Sequence, residues 1–152
     1  MEVERKFLVR EPPDLGDAEA EEIVQGYLAT GSDGEVRLRR KGEALLLTAK
    51  RGSGLSRDEA EVELDRGAFD ELWPLTDGCR LQKRRHRVPH EGLVIEVDVY
   101  GGELEGLVVA EVEFPSEDDA RRFQAPEWLG EDVTGDERYL NETLARRGAP
   151  SG

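Results

Sequence analysis

The 152-residue chain carries 35 acidic against 21 basic side chains, a formal charge of −14, and that excess argues against nucleic acid or an anionic membrane as partner. One cysteine and two histidines exclude an intramolecular disulfide and a Cys/His zinc site, and no apolar run reaches the roughly 20 residues of a membrane span. The length suits a single domain over residues 1–152, and the charged rather than apolar N-terminus points to a cytoplasmic protein.

Residues 2–10 alternate charged and apolar side chains, with Val3, Phe7 and Val9 as β formers, and predict a first strand. EPPDLGDAEA reads as loop. EIVQGYLA at 22–29 is a second strand, GSDG at 31–34 turns into EVRLRRK at 35–41, and Gly42 links this to EALLLTAK at 43–50. RGSGLS is a linker, and a Gly-x-Gly this short carries little phosphate-binding signal. RDEAEVEL at 57–64 alternates again. Asp65 can cap a short helix that carries Phe69, Leu72 and Trp73 on one stripe and stops at Pro74. Three more strands follow: RLQKRRHRV at 80–88, LVIEVDVY at 93–100 and LVVAEVEF at 107–114. Ser116 caps SEDDARRF, Asp136 caps a final helix ERYLNETLARR, Gly148 sits at its C′ position, and the tail APSG is expected to fray. The sum is an α+β protein: about eight strands, mostly in hairpins, with short helices, in an antiparallel sheet that curls or closes.

Side chains two apart on a strand share a face, roughly 6.6 Å from one another. Sorted this way, one face holds Glu2, Glu4 and Lys6; then Glu35, Arg37, Arg39 and Lys41; then Lys50; Arg57, Glu59, Glu61 and Glu63; Lys83, Arg85 and Arg87; Glu96 and Asp98; and Glu111 and Glu113. The other holds Leu45, Leu47 and Ala49; Ala60, Val62 and Leu64; and Val108, Ala110, Val112 and Phe114. A barrel with its charged face in water accounts for any one such strand. Three features together argue for the inverse. The amphipathic helices can cover the apolar face from outside, the charge signs are segregated by strand, and neighbouring like charges need a counter-charge between them. A polyanion suits the bases, and a hard divalent cation suits the acids.

The opening E-V-E-R-K is an E-x-E-x-K motif. R-L-R at 37–39, Lys50, E-V-E at 61–63, K-R-R at 83–85, E-V-D at 96–98 and E-V-E at 111–113 follow it in order. This set resembles the CYTH domain, or triphosphate tunnel metalloenzyme, superfamily, and LVVAEVEF and VTGDERYLN are similar to its small bacterial members. The resemblance covers nearly the whole chain. It implies an eight-stranded antiparallel β-barrel with a charged lumen, short helices packed outside and at the C-terminus, a triphosphate-containing substrate, Mg²⁺ or Mn²⁺, and a monomer or homodimer. By the same resemblance, Lys6, Arg37, Arg39, Lys50, Lys83 and Arg85 would bind phosphoryl oxygens. Glu2, Glu4, Asp98, Glu111 and Glu113 would face the metal, and Glu61, Glu63 and Glu96 would orient the bases. Lys83, with its pKa lowered by Arg85 beside it, would assist the attack of water. Glu35, Lys41, Arg57, Glu59 and Arg87 read as rim or surface charges, and His86 as structural. Tyr27 shares the face of Gln25 and either lines the tunnel or packs.

The leading expectation is metal-dependent hydrolysis of inorganic triphosphate. The alternatives are a nucleoside or thiamine triphosphatase, a class IV-like adenylate cyclase, and a non-catalytic polyphosphate-binding module. With 6% aromatics the charged face has little from which to build an adenine-stacking stripe, and a mere binder has no need for the paired acids.

Overall fold

The computed structural model describes residues 2–16, 19–52 and 56–150. Its strands are β1 (Glu2–Leu8), β2 (Glu19–Gly31), β3 (Gly34–Lys41), β4 (Ala44–Arg51), β5 (Ser56–Glu63), β6 (Arg80–His90), β7 (Leu93–Tyr100) and β8 (Val108–Glu113). The helices are α1 (Arg66–Leu72), α2 (Glu117–Arg122) and α3 (Asn141–Arg147). All strand pairs are antiparallel, and the order β1-β5-β4-β3-β2-β6-β7-β8 closes into a barrel. The centre of the expected linker, 53–55, and the end of the tail, 151–152, lie outside the described residues.

Two meanders, β2 to β5 and β6 to β8, join where β2 pairs with β6, and β1 closes the ring between β8 and β5. The β1–β5 seam is narrow among the described residues: Glu2 faces Arg57 and Val3 faces Ser56. Beyond Arg57, β5 runs past the described start of β1. β2 extends further than its alternation predicts. A bulge between Tyr27 and Ala29 shifts its register on β3, so inward and outward positions exchange along the strand.

The apolar parity faces outward, as expected. Val3, Phe7, Ile95, Val97, Ala110 and Val112 form one buried cluster with Phe114, Ala120 and Leu129, covered by α2 and the segment after it. Ser116 accepts a hydrogen bond from the Asp119 amide and starts α2, which ends in Arg121 and Arg122. On the other side Asp65 caps α1, and the 3-10 turn Trp73–Thr76 follows it. That turn lies so close to β2 that a Cβ on Gly26 would stand 2.6 Å from Thr76, so this position admits only glycine. The cover is partial here, and Val62 stays half exposed.

The C-terminal helix departs from expectation. The run from Asp136 breaks into a 3-10 turn, Glu137–Tyr139, and α3, with Leu140 extended between them. α3 does not lie on the outer face. Its Leu144 packs with Leu8, Leu81, Tyr100, Leu104, Val109 and Val133. Leu8, Leu81, Tyr100 and Val109 have the parity of Lys6, Lys83, Asp98 and Glu111, so they are lumen residues. The inward face turns apolar at one end of the barrel, and α3 seals that end. Leu144→Ala is expected to destabilise the protein by about 2–5 kcal/mol in urea unfolding. A change inside the error of the midpoint would mean that α3 is not part of the cooperative core.

Candidate active site

The inward face gathers the charged residues that the alternation put together. Across the strands Gln25 faces Arg39, Tyr27 faces Arg37, Arg85 faces Asp98, Glu96 faces Glu111, Lys6 faces Glu111, and Glu4 faces Glu113. Arg37, Arg39, Lys83, Arg85, Asp98 and Glu111 are all buried.

Asp98 is the hub. Arg85 donates to it twice, Nε to Oδ1 at 2.7 Å and Nη2 to Oδ2 at 2.9 Å, and Lys83 Nζ stands 2.7 Å from Oδ2. Burial alone would raise this carboxyl, but Lys83 and Arg85 outweigh it and hold Asp98 below its ordinary value. Burial likewise pushes Lys83 down, to about 7, with Arg85 adding to the effect and Asp98 offsetting part of it. The leading cause is therefore desolvation rather than the neighbouring cation. Glu111 lies 3.6 Å from Lys6 and 3.8 Å from Arg85. Burial opposes its charge, but Lys6 and Arg85 win and hold it well below the carboxylate range. Glu96 reaches Arg85 at 3.5 Å and Arg87 at 3.7 Å.

The opposite wall is different. Among the described residues no carboxylate comes within 4 Å of Arg37 or Arg39. Burial, with Arg37 and Arg85 nearby, pushes Arg39 down to about 10, so it is still charged at neutral pH. The side chains facing these guanidiniums from β2 are neutral. Gln25 accepts from Arg39, and burial raises the Tyr27 phenol well above its ordinary value. Tyr27 is thus a lining residue, resolving the two readings its sequence position allowed.

Other positions differ from expectation. Asp98 has both oxygens committed to Lys83 and Arg85, and Arg85 links it to Glu111. Glu61 and Glu63 are exposed: Glu61 accepts from the Thr48 hydroxyl at 3.0 Å, and neither has a basic group within 4 Å among the described residues. They lie beyond Arg57, where β5 has no partner on the β1 side among the described residues. Glu113 is exposed at the rim, and the Glu2 side chain lies outside the described residues. Arg57 and Glu35 are not surface charges. Arg57 is ion-paired with Glu4 and lies 3.9 Å from Glu35, all three side chains being 15% exposed or less. Lys41 and Arg87 hold Glu21 at the rim, 3.8 and 3.4 Å away. Alternation had already put Arg57 and Glu35 on the inward face. Their depth depends on where the barrel closes, which alternation does not give.

Lys6 donates to the main-chain carbonyl of Tyr139 at 3.1 Å, so the C-terminal segment touches the charged lumen directly. Beside it a cleft of about 810 Å³ is lined by Lys6, Lys50 and Arg57 on the barrel side and by Arg138 and Arg146 on the C-terminal side.

The barrel and the charged lumen can be set beside known proteins. The CYTH domain pattern matches residues 1–149. The chain belongs to the CYTH domain family. An inorganic triphosphatase of Nitrosomonas europaea is 47% identical over 147 residues, covering 95% of this chain and 96% of that protein. An inorganic triphosphatase of Acetivibrio thermocellus is 39% identical over 147 residues, covering 95% and 93%. The crystal structure of an inorganic triphosphatase superposes with a TM-score of 0.73 at 41% identity, covering 99% of this chain and 97% of the other. A putative adenylyl cyclase from Hippeastrum, at 16% identity and a TM-score of 0.58, shares the CYTH fold alone.

Membership of the CYTH family implies a divalent metal, and the chemistry of the donors fits one. Glu4, Glu111 and Glu113 offer only oxygen, which suits a hard cation. Among the described residues no three acidic, histidine or cysteine side chains close a cage.

Asp98 and Glu111 are both held below their ordinary values of 3.8 and 4.5, so they add stability above pH 4.5 that is lost as pH falls through and below those values. Urea midpoints of the metal-free protein should therefore drop steeply below that pH. Asp98→Asn removes the carboxylate paired with Lys83 and the two-bond partner of Arg85, which keeps Glu96 and Glu111 at 3.5 and 3.8 Å, and this should cost about 3 kcal/mol near neutrality and flatten the acid slope. An unchanged slope in this variant would show that Asp98 is not the hub.

Proposed function

We propose that this protein hydrolyses inorganic triphosphate with the help of Mg²⁺ or Mn²⁺. The observation that carries the reading is the buried pair of guanidiniums on Arg37 and Arg39, with no carboxylate within 4 Å among the described residues. Two desolvated like charges are unfavourable unless an anion completes them. The two curated relatives, each named an inorganic triphosphatase, agree with this choice of anion.

The substrate carries about four to five negative charges near neutral pH. Arg37, Arg39, Lys6, Lys50 and Arg85 bind its oxygens, and the guanidiniums can do so in bidentate fashion. Glu4, Glu111 and Glu113, with Glu2, hold the metal side, while Asp98 fixes Lys83 and Arg85 against their wall. A bound divalent cation would polarise the phosphoryl group and offset charge in the transition state. Water attacks the terminal phosphorus, its oxygen forms the new P–O bond, and the bridging bond breaks with its electron pair on the pyrophosphate leaving group. Lys83, lowered to about 7, has a neutral fraction near physiological pH that can take the proton from the attacking water.

Phosphate release from inorganic triphosphate, ATP and thiamine triphosphate, each with Mg²⁺, Mn²⁺ or chelator, tests the reading. Metal-dependent release from inorganic triphosphate is expected to dominate. Tight binding without turnover would make the protein a binding module instead. Glu111→Gln should lose activity and regain part of it at high metal, because it weakens metal binding. Arg39→Ala should lose about one to two decades, the equivalent of one charge-assisted bond, and high metal should not restore them. Identical metal responses in both variants would break this division of acids and bases.

A further inference from the structure

Two guanidiniums in the tunnel are held in contrasting ways. Arg85 is gripped by Asp98 through Nε and Nη2, so its charge is compensated by the protein. Arg39 is held by Gln25. Its Nε donates to Gln25 Oε1 at 3.2 Å, and Gln25 Nε2 donates to the Tyr27 hydroxyl at 2.9 Å. All three side chains are buried, and Gln25 is fully so. Because a guanidinium can only donate, the amide oxygen must face Arg39 and the amide nitrogen must face Tyr27, which fixes how the amide lies.

We propose that Gln25 is a positioning residue for the substrate: it fixes Arg39 through Nε with a neutral acceptor and leaves the charge and terminal nitrogens of the guanidinium for phosphoryl oxygens. A carboxylate at this place would orient Arg39 as well or better. It would also cancel the charge that attracts the anion, and in a buried site that loss is large. An apolar residue would preserve the charge but leave Arg39 Nε and the Tyr27 hydroxyl without this partner. Gln is the side chain of this size that holds the fork in place without neutralising it. The argument rests on the reading of Arg39 as a clamp on triphosphate.

The decisive variant is Gln25→Glu, which keeps the size and the acceptor for Arg39 and adds charge, while the Tyr27 hydroxyl turns from accepting to donating. Its thermal midpoint should equal or exceed that of the wild type. Its affinity for inorganic triphosphate, measured by calorimetry in chelator, should fall by about tenfold or more, the scale of one charge-assisted bond. KM should rise in parallel, with kcat changing much less. A merely structural glutamine predicts the opposite: glutamate fills the same space, accepts the same bond, and leaves affinity and KM as they were. That outcome overturns the inference. Gln25→Met, which fills the volume without an acceptor, gives a second measure should the glutamate variant not fold. It should raise KM with the charge of Arg39 intact, and an unchanged KM overturns the inference too. If the wild type itself does not bind inorganic triphosphate, the reading of the site fails first, and this inference falls with it.

Discussion

Burying charge is the constraint around which this protein is built. Asp98, with no exposed surface, takes two bonds from Arg85 and one ammonium from Lys83. An isolated ion at such depth would cost several kcal/mol, and a well-bonded triad largely offsets that cost. The triad also sets the shape of the tunnel. It ties β6 to β7 from the inside, while Glu111 on β8 extends the same network to Lys6 on β1. The acidic half of the wall is thereby largely self-compensating. The Arg37 and Arg39 side has no carboxylate within 4 Å among the described residues, and this imbalance gives the lumen two unlike walls.

The outside of the barrel follows from that inside. A strand has two faces, and if one is charged and inward the other must find cover as a hydrophobic surface. β1, β7 and β8 obtain full cover from α2 and the chain behind it, and their outward Val3, Ile95, Val97 and Val112 are nearly inaccessible. α1 lies against β4 and its following turn against β2, and Val62 on β5 remains exposed. The better-covered strands are those carrying Lys6, Asp98 and Glu111. Rigid backing on one face holds such side chains in one rotamer on the other, and the site depends on that.

Strand alternation made much of this legible. β7 was located to the residue, and the inward parity of Arg37, Lys83, Asp98 and Glu111 followed from counting by two. Alternation could not show depth. Arg57 and Glu63 have the same parity on β5, yet Arg57 is enclosed beside Glu4 while Glu63 is exposed, because β5 runs past β1 beyond that point. Closure of a barrel depends on register between strands distant in sequence, and no local pattern encodes it. Gln25 was overlooked for another reason. A search for charge passes over a neutral amide, although a neutral side chain opposite an inward arginine is itself a signal. The break at Leu140 was also hidden, since ERYLNETLARR reads as one amphipathic helix with an acceptable cap.

That break matters for how the lumen is closed. One continuous helix from Asp136 to Arg147 would offer no free carbonyl near Lys6, because inner carbonyls bond along the helix. With Leu140 extended, the Tyr139 carbonyl is released and accepts from Lys6, while the Asn141 side chain accepts from the Tyr100 hydroxyl rather than capping α3. Both contacts reach groups beside the charged network: Lys6 lies against Glu111, and the Tyr100 ring lies 5.5 Å from the Lys83 ammonium. Apolar packing by Leu144 alone would seal the end of the barrel but would leave the polar groups just inside it without partners. The kinked segment does both, with an apolar side against Leu81 and Val109 and a polar hinge against Lys6 and Tyr100. The boundary between dry core and charged tunnel thus falls at Leu140, and the helix must break there for the tunnel to end cleanly.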